Sequence, residues 1–363
     1  MDWSAFSHSA PQWYKDAKLG IFIHWGAYSV PAWATPTGEL GAVDDAVWFA
    51  NNPYAEWYFN TYRIEGSPTH KHHLETYGDI DYDEFLEMWK AENFQPAEWA
   101  SLFAHAGARY VVPTTKHHDG ITLWDAPGTG TRNTVHRGPK RDLIADIAQA
   151  TRDAGMRFGV YYSGGLDWSV SQLPPIQSHH DVRGLRPNDA AYSMYAFEHC
   201  MDLIRRHKPD VLWNDIEWPD FSKSGDENID YSLAQLFTKY YEMVPEGVVD
   251  DRWGETHRDF ITSEYQMNIE NESADVVWEN CRGVGLSFGY NQVETEEHYL
   301  TPAAAIAHFV DIVSRGGNFL LNVGPTASGE IPELQARVLR GMGDWMAHHS
   351  EAIYSTRPAD GTS

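Results

Sequence analysis

"SMYAFEHCMDLIRRHKPDVLWND", residues 193–215, carries the alternation on which the fold reading turns. Met194, Phe197, Met201 and Ile204 recur at helical spacing, so the first part reads as an amphipathic helix. Arg205, Arg206 and His207 close it, where the negative end of a helix dipole favours cations. Pro209 cannot continue the helix. Val211 and Leu212 then open a short apolar run that ends in Asn214 and Asp215 and reads as a buried strand.

The same unit recurs along the chain. "DLIADIAQATRDAG" (142–155) places Leu143, Ile147, Ala150 and Ala154 at helical spacing, with Gly155 at the C-terminal cap, and "MRFGVYYSGG" follows as a strand. "PAEWASLFAHAG" leads into "ARYVVPTTKHHDG", "SLAQLFTKYYEMVPEG" into "VVDDRWG", and "AAAIAHFVDIVSRGG" into "NFLLNVGP". With "KLGIFIHWG", "DFITSEY" and "DVVWENC" there are seven or eight strand candidates. Repeated αβ alternation implies parallel strands joined by crossover helices. The expectation is an α/β fold, a TIM-like (β/α)8 barrel over residues 1–355, with a tail over 356–363.

Each apolar run ends in residues able to do chemistry. His24, the pair His117 and His118, Tyr161 and Tyr162, Asp215, Arg252, Glu264 and Glu279 all stand at such ends. Barrels place their active sites at the C-terminal ends of the strands, so these side chains are expected around one mouth. Residues 169–190, rich in proline and polar groups, follow a strand and are expected to overhang that mouth as a loop.

Composition narrows the partners. The 363 residues carry a formal net charge of −25, which argues against nucleic acid and anionic membranes. Two cysteines and no Cys-x-x-Cys argue against a disulfide framework or a structural zinc. The N-terminal residues lack a signal-peptide pattern, and the expected location is the cytoplasm. Fifteen tryptophans and nineteen tyrosines read first as a large core; the sharper alternative, which composition alone ranks second, is a sugar site, where C–H faces pack on rings and hydroxyls pair at the edges.

Asp215 stands between Trp213 and Trp218. Apolar walls disfavour a charged carboxylate, so such a residue is either a paired structural group or a nucleophile supported by donors. Asn214, Arg252 and the histidines are candidates for that support. A retaining glycosidase needs a second carboxyl nearby as acid and base. Glu56, Glu217, Glu264 and Glu279 are the candidates, and spacing does not rank Glu264 above Glu279. Neighbouring side chains on a strand point to opposite faces, which makes a shared metal at His117 and His118 awkward. The histidines suit hydrogen bonding to hydroxyls better, and a metal is not expected.

"WYKDAKLGIFIHWGAYSVPAW", "YAEWY", "GARYVVPTTKHHDGITLWD", "GVYYSGGLDW", "VLWNDIEWP", "DRWG", "DFITSEY", "WENCRGVGLSFGYN" and "GGNFLLNVGPTASGEIP" together resemble the α-L-fucosidases of glycoside hydrolase family 29. The resemblance runs in order from about Trp13 to Tyr354. It implies a (β/α)8-like catalytic domain and cofactor-free, retaining hydrolysis of terminal α-L-fucose from glycans or glycosides. By the matched motifs it implies Asp215 as nucleophile and Glu264 as acid/base. It implies sugar contacts from His24, Glu56, Trp57, His117, His118, Tyr161, Trp213 and Arg252, and a C6-methyl pocket lined by Phe22 and Phe288. Family members usually continue into a C-terminal β-sandwich domain, which is not expected within these residues. The open side of the site could then be covered by a second subunit of a homo-oligomer. The competing readings are a metal-dependent barrel hydrolase and a non-catalytic fucose-binding protein.

Overall fold

The computed structural model describes residues 3–6, 8–223, 229–266 and 276–358. Eight strands are present: β1 (Leu19–Ile23), β2 (Tyr110–Lys116), β3 (Arg157–Ser163), β4 (Val211–Asp215), β5 (Val248–Val249), β6 (Ile261–Glu264), β7 (Trp278–Gly283) and β8 (Asn318–Val323). They form one sheet in the order β5-β4-β3-β2-β1-β8-β7-β6, and every neighbouring pair is parallel. The crossover helices that precede β2, β3, β4, β5 and β8 are α1 (Pro96–Ala106), α2 (Leu143–Asp153), α3 (Ala190–His207), α4 (Leu233–Met243) and α5 (Pro302–Ser314); α6 (Glu333–His349) follows β8.

The αβ units start and stop where local chemistry directs. Asp142 caps α2 by accepting from the Ala145 N–H at 2.9 Å, and Gly155 takes φ +79° just past its end. Asp189 caps α3 in the same way, and the helix ends one residue after His207, at Lys208 with φ +44°. Phe197, Met201 and Ile204 are buried as their spacing requires, whereas Met194, one turn from the N-cap, is exposed. All five residues of β4 are buried.

The sheet departs from a regular barrel at one seam. β5 leads into β6 without a helix, and no ladder joins them. A single backbone bond, Asp259 N–H to Val249 C=O at 2.9 Å, crosses near the start. Two carboxylates replace the missing ladder. Asp259 Oδ2 accepts from the Val249 N–H at 2.8 Å, and Asp251 Oδ1 accepts from the Thr262 N–H at 3.1 Å and its hydroxyl at 2.8 Å. Side chains, unlike a ladder, leave space for Arg252 to enter between the strands.

Two apolar layers hold the domain. Between sheet and helices lie residues such as Ile21, Phe158, Val160, Leu203, Phe309 and Leu321; inside the curl lie Phe22, Tyr110, Tyr161, Trp213, Cys281 and Phe288. Among the described residues no helix is long and apolar enough to cross a membrane. Of the tail expected at 356–363, residues 359–363 lie outside the described set, and Arg357 pairs with Asp16 at 2.8 Å.

Candidate active site

At the C-terminal ends of the strands lies a cavity of ≈ 130 Å³. Phe22 comes from β1 with His24 just beyond it, Tyr161 from β3, Trp213 and Asp215 from β4, and Glu264 from β6. His117 and His118 follow β2, Arg252 follows β5 and Phe288 lies between β7 and β8. Glu56 and Trp57 descend from the long segment after β1. All twelve line this one cavity. Strand parity explains part of the convergence: Trp213 faces inward, so Asp215, two residues on, faces the same way. Tyr161 is Trp213's register partner on β3, and their rings stack at 5.6 Å.

Asp215 is well supplied with donors. Its Oδ2 accepts from the Tyr161 hydroxyl at 2.8 Å, and its Oδ1 accepts from Arg252 Nη1 at 3.0 Å and from the Ile216 N–H at 3.0 Å. Burial alone would raise its pKa, but the charge of Arg252 and the hydrogen bond from Tyr161 outweigh it, and the carboxyl is held below its ordinary value. It is therefore ionised at neutral pH.

Arg252 bridges two carboxylates. Nη1 donates to Asp215 while Nη2 donates to Glu264 Oε2, also at 3.0 Å. Its Nε donates to Thr262 Oγ1 at 3.0 Å, the hydroxyl fixed by Asp251 at the seam, and its guanidinium lies 4.7 Å over the Trp213 ring. The second oxygen of Glu264 accepts from the Tyr54 hydroxyl at 2.7 Å. Two carboxyl groups on neighbouring nitrogens of one planar fork are necessarily close to each other.

The histidines are neutral. Burial drives His24 down to about 3 and His118 to about 4, and lowers His117 strongly as well. Asn322 donates its amide to the Phe288 carbonyl, so its oxygen faces His24 Nδ1 at 2.7 Å and takes that N–H. Ser163 donates to the Leu166 carbonyl, so His118 Nδ1, 2.6 Å from its oxygen, is the donor there. These tautomers, inferred from the hydrogen-bond network, leave Nε2 of both rings as acceptors. Among the described residues His117 Nδ1 has no hydrogen-bond partner, although it is buried. Glu56 accepts from the Gly289 N–H at 2.7 Å and Ser287 Oγ at 3.2 Å, and burial pushes it up to about 7. One wall is apolar: Phe22 lies 5.0 Å from Trp213 and 6.4 Å from Phe288, ring to ring.

Several expectations are corrected. Glu279 does not stand at a strand end. The apolar run stops there, but β7 continues to Gly283, so Glu279 sits low in the curl, accepting from Tyr14, Tyr110 and Trp213. Cys281, two residues on, reaches the cavity instead. Tyr162 faces the helices, bonded to His199. Trp218 is buried against Trp253 and Tyr162, away from the cavity, so Asp215 meets one indole and not two. Asn214 gives Asp215's carboxylate nothing. It binds the carbonyls of Glu217 and Arg252 and secures the loop that carries the guanidinium. Glu217 pairs with Lys223 at 2.8 Å. His117 and His118 lie past the end of β2, so strand alternation does not apply and both reach the cavity.

Sequence reasoning missed Leu40, Trp48, Phe49, Tyr54, His179, Val182 and Ile216 as lining residues. Tyr54, in "NPYAEWY", lies two residues before Glu56 in a motif already singled out, which was the available signal. His179 and Val182 come from the insertion at 169–190, which does overhang the mouth but folds partly as a short helix, His179–Gly184.

Comparison with known proteins finds a match to the family described as Alpha-L-fucosidase over residues 2–351. An α-L-fucosidase of Dictyostelium discoideum is 32% identical over 361 residues, covering 97% of this chain and 73% of its own length. The tissue α-L-fucosidase of Homo sapiens is 33% identical over 371 residues, covering 98% and 72%. The crystal structure of Thermotoga maritima α-fucosidase in complex with fucose is 48% identical, with a TM-score of 0.89 over 99% of this chain and 79% of that one.

Proposed function

The chain belongs to the α-L-fucosidase family, and from that premise we propose that it removes terminal α-L-fucose by double displacement through Asp215 and Glu264. The observation that carries the reading is the pair of carboxylates on one guanidinium, inside a small cavity with an apolar wall. The Thermotoga relative's complex with fucose supports the choice of sugar.

Asp215, ionised and aimed by Tyr161 and Arg252, attacks the anomeric carbon. The C1–O1 bond breaks while Glu264 gives its proton to the departing oxygen, leaving a fucosyl ester on Asp215. Water then attacks the same carbon, Glu264 takes its proton, and the carboxylate of Asp215 leaves. Two inversions return the α-configuration. Close carboxyl groups suit this course; inversion needs about 6.5–9.5 Å between them to admit a water. Tyr161 and Arg252 keep hold of Asp215 as its charge is lost and regained. His24, His117, His118 and Glu56 offer acceptors and donors for the ring hydroxyls, and Phe22, Trp213 and Phe288 fit a methyl group at C6, where a hydroxyl would find no partner.

The paired carboxylates and family membership favour this over a metal-dependent hydrolase or a non-catalytic sugar binder. The test is cleavage of an aryl α-L-fucoside against aryl β-D-galactoside and α-L-rhamnoside. Selective cleavage of the fucoside, unaffected by a strong chelator, is expected. Preference for either control would overturn the assignment.

A further inference from the structure

Beside the first cavity, at the same C-terminal end of the strands, lies a wider one of ≈ 690 Å³. Its walls are the turn after β2, the loop after β3 and the segment that carries Phe59 and Arg63. Trp168 is the partition. Its ring lies 5.4 Å from Trp57 and 5.3 Å from His118, which both face the first cavity, and 6.1 Å from Phe59 in the second.

The partition is firmly built. Asp167, fully buried and paired with Lys116 at 2.9 Å, accepts from the Ser169 N–H at 3.0 Å and its hydroxyl at 2.5 Å. The Trp168 N–H donates to the His118 carbonyl at 2.8 Å. Farther along, Arg63 donates to the Leu173 carbonyl, and Asn60 exchanges bonds of 2.7 and 3.0 Å with the backbone of Ile176. The loop therefore forms a fixed wall between two cavities, so the second is present before any ligand arrives.

We propose that the second cavity is a separate binding site for a neutral saccharide, with a pyranose face against the half-buried rings of Tyr195 and Phe59 and hydroxyls toward Arg63, Asp81 and Gln172. The residue types select this ligand class. Aromatic faces recognise C–H surfaces, and side chains that donate and accept satisfy hydroxyls. A phosphate or carboxylate ligand is disfavoured, because Asp81 and Asp83 share the wall and Asp83 already neutralises Arg132, held through Nε and Nη2 at 2.8–3.1 Å, which leaves Nη1 as a single donor for a hydroxyl. A purely apolar ligand would desolvate Arg63 and Asp81 without pairing them. The inference rests on the first cavity being the fucose site, and it makes the second a holding point for another sugar of a glycan.

Saturation-transfer NMR on the full chain, with N-acetyllactosamine and cellobiose as fucose-free probes, tests it. Binding of at least one probe should persist in saturating L-fucose. Ser171→Trp, which fills the cavity, and Tyr195→Ala, which removes a ring, should each weaken it about tenfold, the scale of one lost stacking contact. Hydrolysis of a small aryl α-L-fucoside should stay within about twofold of wild type in both, which also reports that they fold. If Ser171→Trp loses that activity, Tyr195→Ala decides. Displacement of the probes by fucose, indifference to the substitutions, or absence of binding at millimolar probe would overturn the proposal. Failure of the wild type to cleave the aryl fucoside would instead strike the reading of the first cavity.

Discussion

Replacing Glu279 by alanine should damage the protein through its structure and not through proton transfer. The carboxylate is fully buried and accepts from Tyr14 at 2.8 Å, Tyr110 at 2.5 Å and Trp213 Nε1 at 3.0 Å. Its removal leaves three buried donors unpaired, at about 1–3 kcal/mol each. The loss should reach several kcal/mol, a large part of the roughly 5–15 kcal/mol that holds a domain together. Trp213 is also the wall under Arg252, so its release disturbs the fork that holds Asp215 and Glu264. Urea unfolding should show a clearly lowered midpoint. At a temperature where the variant is folded, kcat/KM should fall by a similar factor for aryl fucosides with good and poor leaving groups, and azide should not restore it. An unchanged midpoint with a leaving-group-dependent, azide-rescued loss would refute the reasoning and place Glu279 at the reacting oxygen.

Glu264→Ala should show that opposite pattern. Fucosyl-oligosaccharides should suffer most, activated aryl fucosides should keep more of the first step, and azide should rescue with retained α-configuration; a uniform loss across leaving groups would count against the role. Glu56 should make stability depend on pH. Its folded pKa is raised from 4.5 to about 7, so its contribution is fully present below pH 4.5 and is lost as pH rises through 7. At about 1.36 kcal/mol per unit, Glu56→Gln should remove about 3 kcal/mol of the stability change between pH 4.5 and 8, read by urea unfolding at each pH; an unaltered profile would contradict the raised value. L-Galactosides, which add a hydroxyl at C6, should lose about 1–3 kcal/mol in kcat/KM against L-fucosides, and better turnover of the galactosides would show that the apolar wall is misread.

The αβ alternation made the parallel sheet legible, because caps and helical periodicity are local signals. Gly155 and Pro209 marked boundaries the structure keeps. The seam between β5 and β6 was hidden, because Asp251 and Asp259 close it through side-chain bonds that no periodicity encodes. Strand ends were legible where the apolar run and the strand stop together, as at Asp215. They misled where a strand runs on through polar residues, as β7 does past Glu279 to Arg282. Trp213 and Trp218 look equivalent in sequence, yet the chain turns between them. Ile216 and Glu217 both take positive φ, +58° and +69°, and that turn sends Trp218 away from the cavity. Tyr54, Leu40 and Phe49 belong to the segment after β1, whose fold over the mouth depends on long-range contacts such as Tyr54 to Glu264 and Glu39 to Arg282.

The central claim, that Asp215 carries the sugar through a covalent ester, is tested most directly by trapping. A 2-deoxy-2-fluoro-α-L-fucosyl fluoride slows both steps but leaves a reactive leaving group, so the ester accumulates. Incubation followed by proteolysis and mass spectrometry should find one fluorofucosyl group on the peptide that contains Asp215, with activity lost in step and regained as the adduct turns over. A label on the peptide of Glu264 or Glu56, or steady turnover to β-fucose as first product with no label, would contradict it.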